Sequence, residues 1–345
     1  MEICSNGICL DGSQACIQYP GALYYVINRG NYRSDIFASE GAREAFLTCL
    51  GQACEMTGWR VHAFVVMRNH YHLALETPAA NLVEGMQWLQ STYATRFNQL
   101  RKERGPVFQG RYHAILVQDG AHLGAVAHYI HLNPVRASIV EPSAATNYRW
   151  SSLHWLTKQY ARPSWLSFSN ALASVGELTD TPAGHAAYLE YLAWLNKDKP
   201  AQKAFAFDQM CKGWALGSKE FKANLIQEQR QALAELDLSE VDASEVREMA
   251  WTTALAACME ALGQEVSAIT RGAKSADWKV AIAAHLRRVS TVKNTWLAEA
   301  LNMGAPDGVS RYVSELRQGK RSNAAELGLK ITDISPSSAF LKLSD

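Results

Sequence analysis

Apolar residues recur along the first third of the chain with two alternating periods. Residues 23–28 (Leu-Tyr-Tyr-Val-Ile-Asn) form a compact apolar run closed by the turn Arg29-Gly30-Asn31, and residues 59–67 form a second such run. Between them Ser39 stands where a helix N-cap belongs, and Phe46, Cys49, Leu50 and Cys54 follow at helical spacing up to Gly58. Arg68-Asn69 then joins the second run to residues 70–76, which alternate as a strand does. A longer helix is expected over 82–104, with Leu82, Met86, Leu89, Tyr93, Phe97 and Leu100 on one stripe before the breaker Gly105-Pro106. A fourth strand is expected over 113–118. The order predicts an α+β fold with a ferredoxin-like βαββαβ sheet, its helices on one face. A further helix over 121–133 is expected to stop at Pro134.

After this catalytic-type domain, taken as 20–155 behind a patternless lead-in (1–19), the chain changes character. Residues 156–200 read as a connection containing one amphipathic helix over 185–195, and 201–345 as a helical accessory region. Its helical patterns run over 221–236 and 244–262. Three short helices follow over 281–288, 296–301 and from Pro306 through Arg317, with Asn302-Met303-Gly304 turning the chain. The group 278–318 has two readings of equal weight. One is a DNA-binding helix-turn-helix, for which His285, Arg287, Arg288, Lys293, Arg311, Arg317, Lys320 and Arg321 outnumber the local acids. The other is a small helical bundle for packing or dimerisation. The group also bears a faint resemblance to the duplex-binding C-terminal domain of the bacterial replication initiator.

Composition narrows the function classes. A formal net charge of +1 in 345 residues places any nucleic-acid binding in local basic patches rather than in the whole chain. Seven cysteines, an odd number with no Cys-x-x-Cys pair, argue against a zinc ribbon or a disulfide framework. With no apolar run of spanning length and no signal-peptide pattern in the first twenty residues, no membrane partner is expected and the cytoplasm is the expected location. No Gly-x-x-x-x-Gly-Lys-[Ser/Thr] phosphate loop occurs.

Candidate chemistry centres on two places. His70 and His72, one residue apart on a strand, point to one face together with Glu76 and form half of a metal site, or else two polar residues on a wet sheet face. Tyr129 and Asn133 lie at i and i+4 on a helix and share a face. A phenol with a pKa near 10 becomes a useful nucleophile toward a phosphodiester when a cation polarises the phosphate. Each residue also has a plain reading: a packed aromatic for Tyr129 and a helix cap for Asn133.

The blocks Phe64-Val65-Val66-Met67-Arg68-Asn69-His70-Tyr71-His72 and Tyr129-Ile130-His131-Leu132-Asn133-Pro134-Val135-Arg136-Ala137 closely resemble the REP-associated tyrosine transposases. These belong to the His-hydrophobe-His single-strand endonucleases with one nucleophilic tyrosine. Further blocks agree in order, namely Val26-Ile27-Asn28-Arg29-Gly30-Asn31, Leu89-Gln90-Ser91-Thr92-Tyr93, Phe108-Gln109-Gly110-Arg111-Tyr112 and Tyr148-Arg149-Trp150-Ser151-Ser152. The resemblance covers about residues 20–155. It implies metal ligation by His70, His72 and Asn133, a Mg²⁺ or Mn²⁺ ion, and Tyr129 as the nucleophile. It also implies single-stranded hairpin DNA as the substrate, cut through a 5′-phosphotyrosine intermediate.

Candidate DNA contacts are Arg29 and Arg111, which lie inside matching blocks, with Arg33, Arg96, Arg101, Lys102 and Arg136, and Arg311 and Arg317 on the C-terminal helices. Tyr32, Trp88 and Tyr112 are candidates for base stacking. Solvated charge or core aromatic is the competing reading for each. Duplex DNA is a second candidate partner, through the C-terminal region, and the oligomeric state stays open between monomer and dimer. The chain departs from the family pattern twice: Tyr25 stands where a histidine is usual, and Arg68 where a proline is usual. The expected activity is therefore a transposase-type single-strand endonuclease and strand transferase. A replication or conjugation nickase and a non-catalytic DNA-binding regulator built on a domesticated transposase are the alternatives.

Overall fold

The computed structural model describes residues 17–228 and 240–334, and the chain divides into two compact units at Ser218/Lys219. The lead-in to residue 16 and residues 229–236 of the helix expected over 221–236 lie outside the described residues. No described helix is long and apolar enough to cross a membrane.

In the first unit the chain runs through β1 (Ala22–Arg29), α1 (Glu40–Thr57), β2 (Arg60–Val66), β3 (His70–Thr77), α2 (Leu82–Arg101) and β4 (His113–Val117). The strands align as β2-β3-β1-β4 with every neighbour antiparallel, the arrangement of a ferredoxin-like βαββαβ sheet. Local chemistry sets the helix bounds. The Ser39 hydroxyl accepts from the Ala42 amide at the start of α1, and Gly58 closes it in the left-handed region with φ of 73°. Helix α2 ends at Arg101, three residues short of the expected 104, because Lys102 takes the left-handed conformation (φ 55°) as its C-cap. The stripe Phe46, Cys49, Leu50 and Cys54 of α1 and Leu82, Met86, Leu89 and Tyr93 of α2 is buried, with Phe46 and Tyr93 packed in the same aromatic cluster as Tyr71 of β3.

The other sheet face is covered too, which corrects the expectation of helices on one face only. Helix α3 (Gly120–Arg136) packs on β1, β2 and β3. It runs through Pro134 instead of stopping there. In the last turn proline forfeits one backbone bond, and the chain closes with the amides of Ala137, Ser138 and Ile139 donating to the carbonyls of Asn133, Val135 and Pro134.

The segment read as a connection is built into this unit. Helices α4 (Ser169–Ala173) and α5 (Pro182–Lys197) pack on α3, and a buried polar network ties them together. In it the Tyr188 hydroxyl lies 3.0 Å from His128 Nδ1 and 2.9 Å from His131 Nδ1, while His131 Nε2 lies 2.8 Å from Ser152 Oγ. After α6 (Lys199–Ala204), the two-residue strand β5 (Ala215–Leu216) pairs parallel to β4 and extends the sheet to five strands, so the first unit runs to Ser218 rather than ending at 155.

The second unit is helical: α7 (Lys219–Glu228), α8 (Glu240–Ala261), α9 (Ser267–Arg271), α10 (Asp277–Val289), α11 (Asn294–Ala300), α12 (Pro306–Arg317) and α13 (Ser322–Leu329). Trp251 and Cys258 from α8 share one core with Ile282 and Leu286 of α10, Leu297 of α11, and Val309 and Val313 of α12. The buried Lys279 closes α9 by donating from Nζ to the carbonyls of Ile269 (2.8 Å) and Gly272 (3.3 Å).

Candidate active site

Alternation along β3 puts His70 and His72 on the face that α3 covers, with Tyr71 on the opposite face. His72 is 4% exposed, so this face is not the wet one that the bare His-x-His spacing allows. The two imidazole rings stand 4.9 Å apart and nearly perpendicular. Each spends Nδ1 inside the protein: His70 Nδ1 lies 2.7 Å from Asn69 Oδ1, and His72 Nδ1 lies 2.7 Å from the Tyr25 hydroxyl. Asn69 Nδ2 donates to the Arg33 carbonyl, which fixes the amide so that His70 Nδ1 carries the proton and Nε2 the lone pair. Glu76, expected on the same face, is turned to Arg60 and His62, at 3.3 and 3.5 Å.

From α3 the Tyr129 side chain reaches over this pair. Its ring meets His72 edge-on at 6.1 Å and Tyr25 at 6.3 Å. Phe207 packs perpendicular to it at 5.3 Å, and the Arg136 guanidinium lies over its face at 4.7 Å. The hydroxyl is 3.3 Å from Cys211 Sγ, and the same sulfur is 3.3 Å from the Tyr25 hydroxyl.

Burial governs the electrostatics. It pulls His70 below its ordinary pKa, with help from Arg29, and holds His72 well below, with help from His70 and Arg136. Both rings are therefore neutral near pH 7, the state in which imidazole binds a metal. Burial and the neighbouring Cys211 push the Tyr129 hydroxyl up to about 12, against the lowering effect of Arg136.

A cleft of about 530 Å³ opens beside His70. Arg29, Arg33 and Arg111 line it together with Asn69, His113 and Cys211, and none of its lining residues is acidic. Arg29 is held by a 2.6 Å bond from Nε to Gln109 Oε1. Such a cleft suits a phosphate-bearing strand.

The other candidates fall into place around this centre. Asn133 sits one turn beyond Tyr129 on α3, half-buried. Arg136 covers the Tyr129 ring instead of lining the cleft. Arg101 pairs with Glu103 at 3.0 Å and lies over Phe97, and Lys102 caps α2, so neither lines the cleft. Arg96 donates to Cys49 Sγ and Gln52 Oε1, and Tyr32 is 92% exposed. Arg311 and Arg317 are exposed on α12 of the second unit. Arg68 pairs with Asp35 at 2.7 Å, and the turn before His70 closes through the Met67 amide and the His70 carbonyl.

Cys211 and Phe207 were not among the sequence candidates. They stand 82 and 78 residues beyond Tyr129 in a stretch without periodicity, and nothing local marks them. Among the described residues no three His, Cys, Asp or Glu side chains are grouped to hold a metal. A cation here would depend on the two imidazoles and a neutral oxygen donor such as the Asn133 amide.

Residues 19–133 match the model of a family described as IS200-like transposase. No curated protein matches the chain. A solved structure of a REP-associated tyrosine transposase bound to a REP hairpin is 15% identical, with a TM-score of 0.35, and the match covers 47% of this chain and 89% of that one.

Proposed function

Because residues 19–133 match the model of the IS200-like transposase family, we propose that this chain cuts and rejoins single-stranded DNA by transesterification at Tyr129. The observation that carries the reading is the meeting of Tyr129 with His72 and His70 beside a cleft lined by three arginines.

The step is balanced without any nucleotide cofactor. Tyr129 Oη bonds to phosphorus, the P–O3′ bond breaks, and the phenol proton ends on the departing 3′ oxygen. The products are a 5′-phosphotyrosine and a free 3′-hydroxyl, and attack by a 3′-hydroxyl reverses the step. Arg29, Arg33 and Arg111 hold the phosphates of the strand. Arg136 and Phe207 clamp the Tyr129 ring so that its hydroxyl is presented in one place. A divalent cation would be held by Nε2 of His70 and His72, with the Asn133 amide oxygen as the third donor. Mg²⁺ or Mn²⁺ held there would draw charge from the scissile phosphate. The block resemblance to REP-associated tyrosine transposases extends the substrate to hairpin-forming repeats.

The test is a denaturing gel with labelled single-stranded hairpin DNA and Mn²⁺ or Mg²⁺. A covalent adduct is expected, and it disappears in Tyr129→Phe and with a chelator. No adduct across a range of hairpins would leave the DNA-binding regulator as the better reading.

To the second unit we assign contact with duplex DNA. Helix α11, a turn holding Asn302 (φ 49°) and Gly304 (φ 88°), and α12 form a helix-turn-helix. The exposed side of α12 carries Ser310, Arg311, Ser314 and Arg317, with Gln318 as the C-cap. Arg321 is engaged by Asp277 and Glu315 at 3.0 and 2.8 Å, which satisfies these acids internally. Replacing Arg311 and Arg317 by alanine should weaken duplex binding and reduce the salt dependence by about two phosphate contacts, read from a salt titration of the affinity. An unchanged slope would favour the packing role.

A further inference from the structure

We propose that Cys211 is a positioning residue that couples the cation site to the nucleophile, its thiol being the middle member of a hydrogen-bonded chain from His72 through Tyr25 to Tyr129. The proposal rests on the reading of Tyr129 as nucleophile. The chain is continuous: 2.7 Å from His72 Nδ1 to Tyr25 Oη, 3.3 Å from Tyr25 Oη to Cys211 Sγ, and 3.3 Å from Sγ to Tyr129 Oη.

Each phenol and the thiol contribute one hydrogen, and a neutral imidazole carries one on a single nitrogen. When every member of the chain both donates and accepts along it, the chain has two senses. In the first, His72 Nδ1–H donates to Tyr25, Tyr25 donates to Sγ, and the thiol donates to the Tyr129 oxygen. His72 Nε2 then keeps its lone pair for a cation, and the Tyr129 O–H is free to turn elsewhere. In the second sense every bond is reversed. Tyr129 donates to Sγ, the thiol to Tyr25, and Tyr25 to His72 Nδ1, so Nε2 holds the hydrogen and cannot bind a cation. A cation on Nε2 leaves the hydrogen on Nδ1, which excludes the second sense and allows the first. That sense places a thiol donor on the very oxygen that bonds to phosphorus.

The segment bearing Cys211 is held by packing on both sides. Phe207, Met210 and Trp214 are each 3 to 4% exposed, Phe207 lies against Tyr129, and the Trp214 carbonyl accepts from the Leu116 amide where β5 joins the sheet. The sulfur nevertheless lines the cleft. Cys211 lies outside the family-matched residues 19–133, whereas His72, Tyr25 and Tyr129 lie inside them. Tyr25, standing where the family pattern has histidine, supplies the link that makes the hydrogen-bonded chain continuous.

The experiment uses the full chain and the variants Cys211→Ala, Cys211→Ser, Tyr25→Phe and Tyr129→Phe, each first checked for an unchanged melting transition. Two readouts are taken. One is the rate of covalent adduct formation on hairpin DNA beside the affinity for that DNA. The other is the rate of Cys211 alkylation by iodoacetamide, followed on the Cys211 peptide by mass spectrometry without DNA or metal. Cys211→Ala should slow adduct formation about tenfold at unchanged DNA affinity, and Cys211→Ser, which keeps a donor and an acceptor, should recover to within about threefold. Tyr129→Phe and Tyr25→Phe should each speed alkylation of Cys211 several-fold, because each removes a partner of the sulfur. An adduct rate in Cys211→Ala equal to wild type, a serine variant as slow as alanine, or unchanged alkylation in both phenylalanine variants overturns the proposal while leaving Tyr129 as nucleophile. A wild-type protein that forms no adduct overturns the reading of Tyr129, and the positioning role falls with it.

Discussion

Strand β3 carries two chemistries on one backbone, one on each face. Tyr71, Leu73 and Leu75 are fully buried toward α1 and α2, where the Tyr71 ring lies 4.7 Å from Phe46 and 6.0 Å from Phe108 and its hydroxyl accepts from Gln90. One residue away in each direction, His70 and His72 face α3, spend their Nδ1 atoms on Asn69 and Tyr25, and hold Nε2 in reserve. The aromatic side supplies rigidity, and the imidazole side carries the proposed site. A slip of one residue in pairing would exchange the two faces, placing histidines in the aromatic core. Eight register pairs with β1, from Ala22↔Thr77 to Arg29↔His70, hold β3 in place against that slip. The difference teaches that site precision here comes from the opposite face of the same strand.

The sharpest way to break this comparison is to truncate one residue on each face. His72→Ala should lower adduct formation by about a hundredfold or more, since even outer partners of a metal ligand cost tenfold to a hundredfold. Single-strand binding should stay nearly unchanged, and the melting transition should fall only modestly, by the cavity that the imidazole leaves. Tyr71→Ala should do the reverse, costing about 3–5 kcal/mol of stability through a core cavity. Adduct formation at low temperature should survive in the folded fraction. Equal losses of stability from both variants would mean that the imidazole face is structural.

A smaller effect separates the two sides of α3. Tyr129 faces the site, whereas His128 and His131 join Tyr188 in the buried network, and burial lowers both histidines to about 3. An unfolded histidine titrates near 6.5. Above that value both states are neutral and pH has no leverage through these rings. As pH falls from 6.5 toward 3 the unfolded chain takes up protons that the folded one refuses. Stability should then drop by up to about 1.4 kcal/mol per pH unit for each ring. Urea unfolding at pH 7.5 and 5.5 measures the drop. His131→Gln should remove that ring's share of the drop, beside the shares of His128, His70 and His72, and a pH dependence that survives in full in this variant would place its origin elsewhere.

The legible part of the molecule is the part governed by local periods. Two-residue and helical spacing announced β1 to β4, α1 and α2, and Ser39 and Gly58 marked the ends of α1 because capping is a local hydrogen-bond matter. The same spacing put Tyr129 and Asn133 on one helical face, but no local rule laid that face on His72. The resemblance carried that step, and packing of α3 on the sheet supplies it physically. What stayed illegible is long-range. Strand β5 is two residues long and pairs with a strand about a hundred residues earlier, and Tyr188 is recruited to His128 and His131 from the segment read as a connection. Nothing local placed Arg136, one of the candidate DNA contacts, against an aromatic ring. It lies on Tyr129 because Phe207 returns to offer it a second aromatic surface.

The smallest effect sharpens the comparison from the aromatic face. Gly85 lies on α2 where the helix crosses Trp59, and a Cβ built on it would stand 2.2 Å from Cζ2 and 2.6 Å from Cη2 of that indole. The ring has no easy retreat, because it is 1% exposed and its Nε1 donates to Asn81 Oδ1 at 2.9 Å, while Asn81 Nδ2 in turn donates to the Thr57 carbonyl. Alanine in mid-helix would ordinarily add up to about 1 kcal/mol over glycine. Here overpacking should exceed that gain and leave a net loss of about 1–2 kcal/mol. Thermal melting reads the loss, and adduct formation well below the transition should match the parent protein, because the strain sits across the sheet from the histidines. In a Trp59→Phe background, which lacks the Cζ2 and Cη2 atoms that the new methyl would strike, Gly85→Ala should turn neutral or stabilising. A loss that persists in that background would show that the indole is not what excludes the methyl, and a drop in adduct formation would show that the two faces of β3 are not independent.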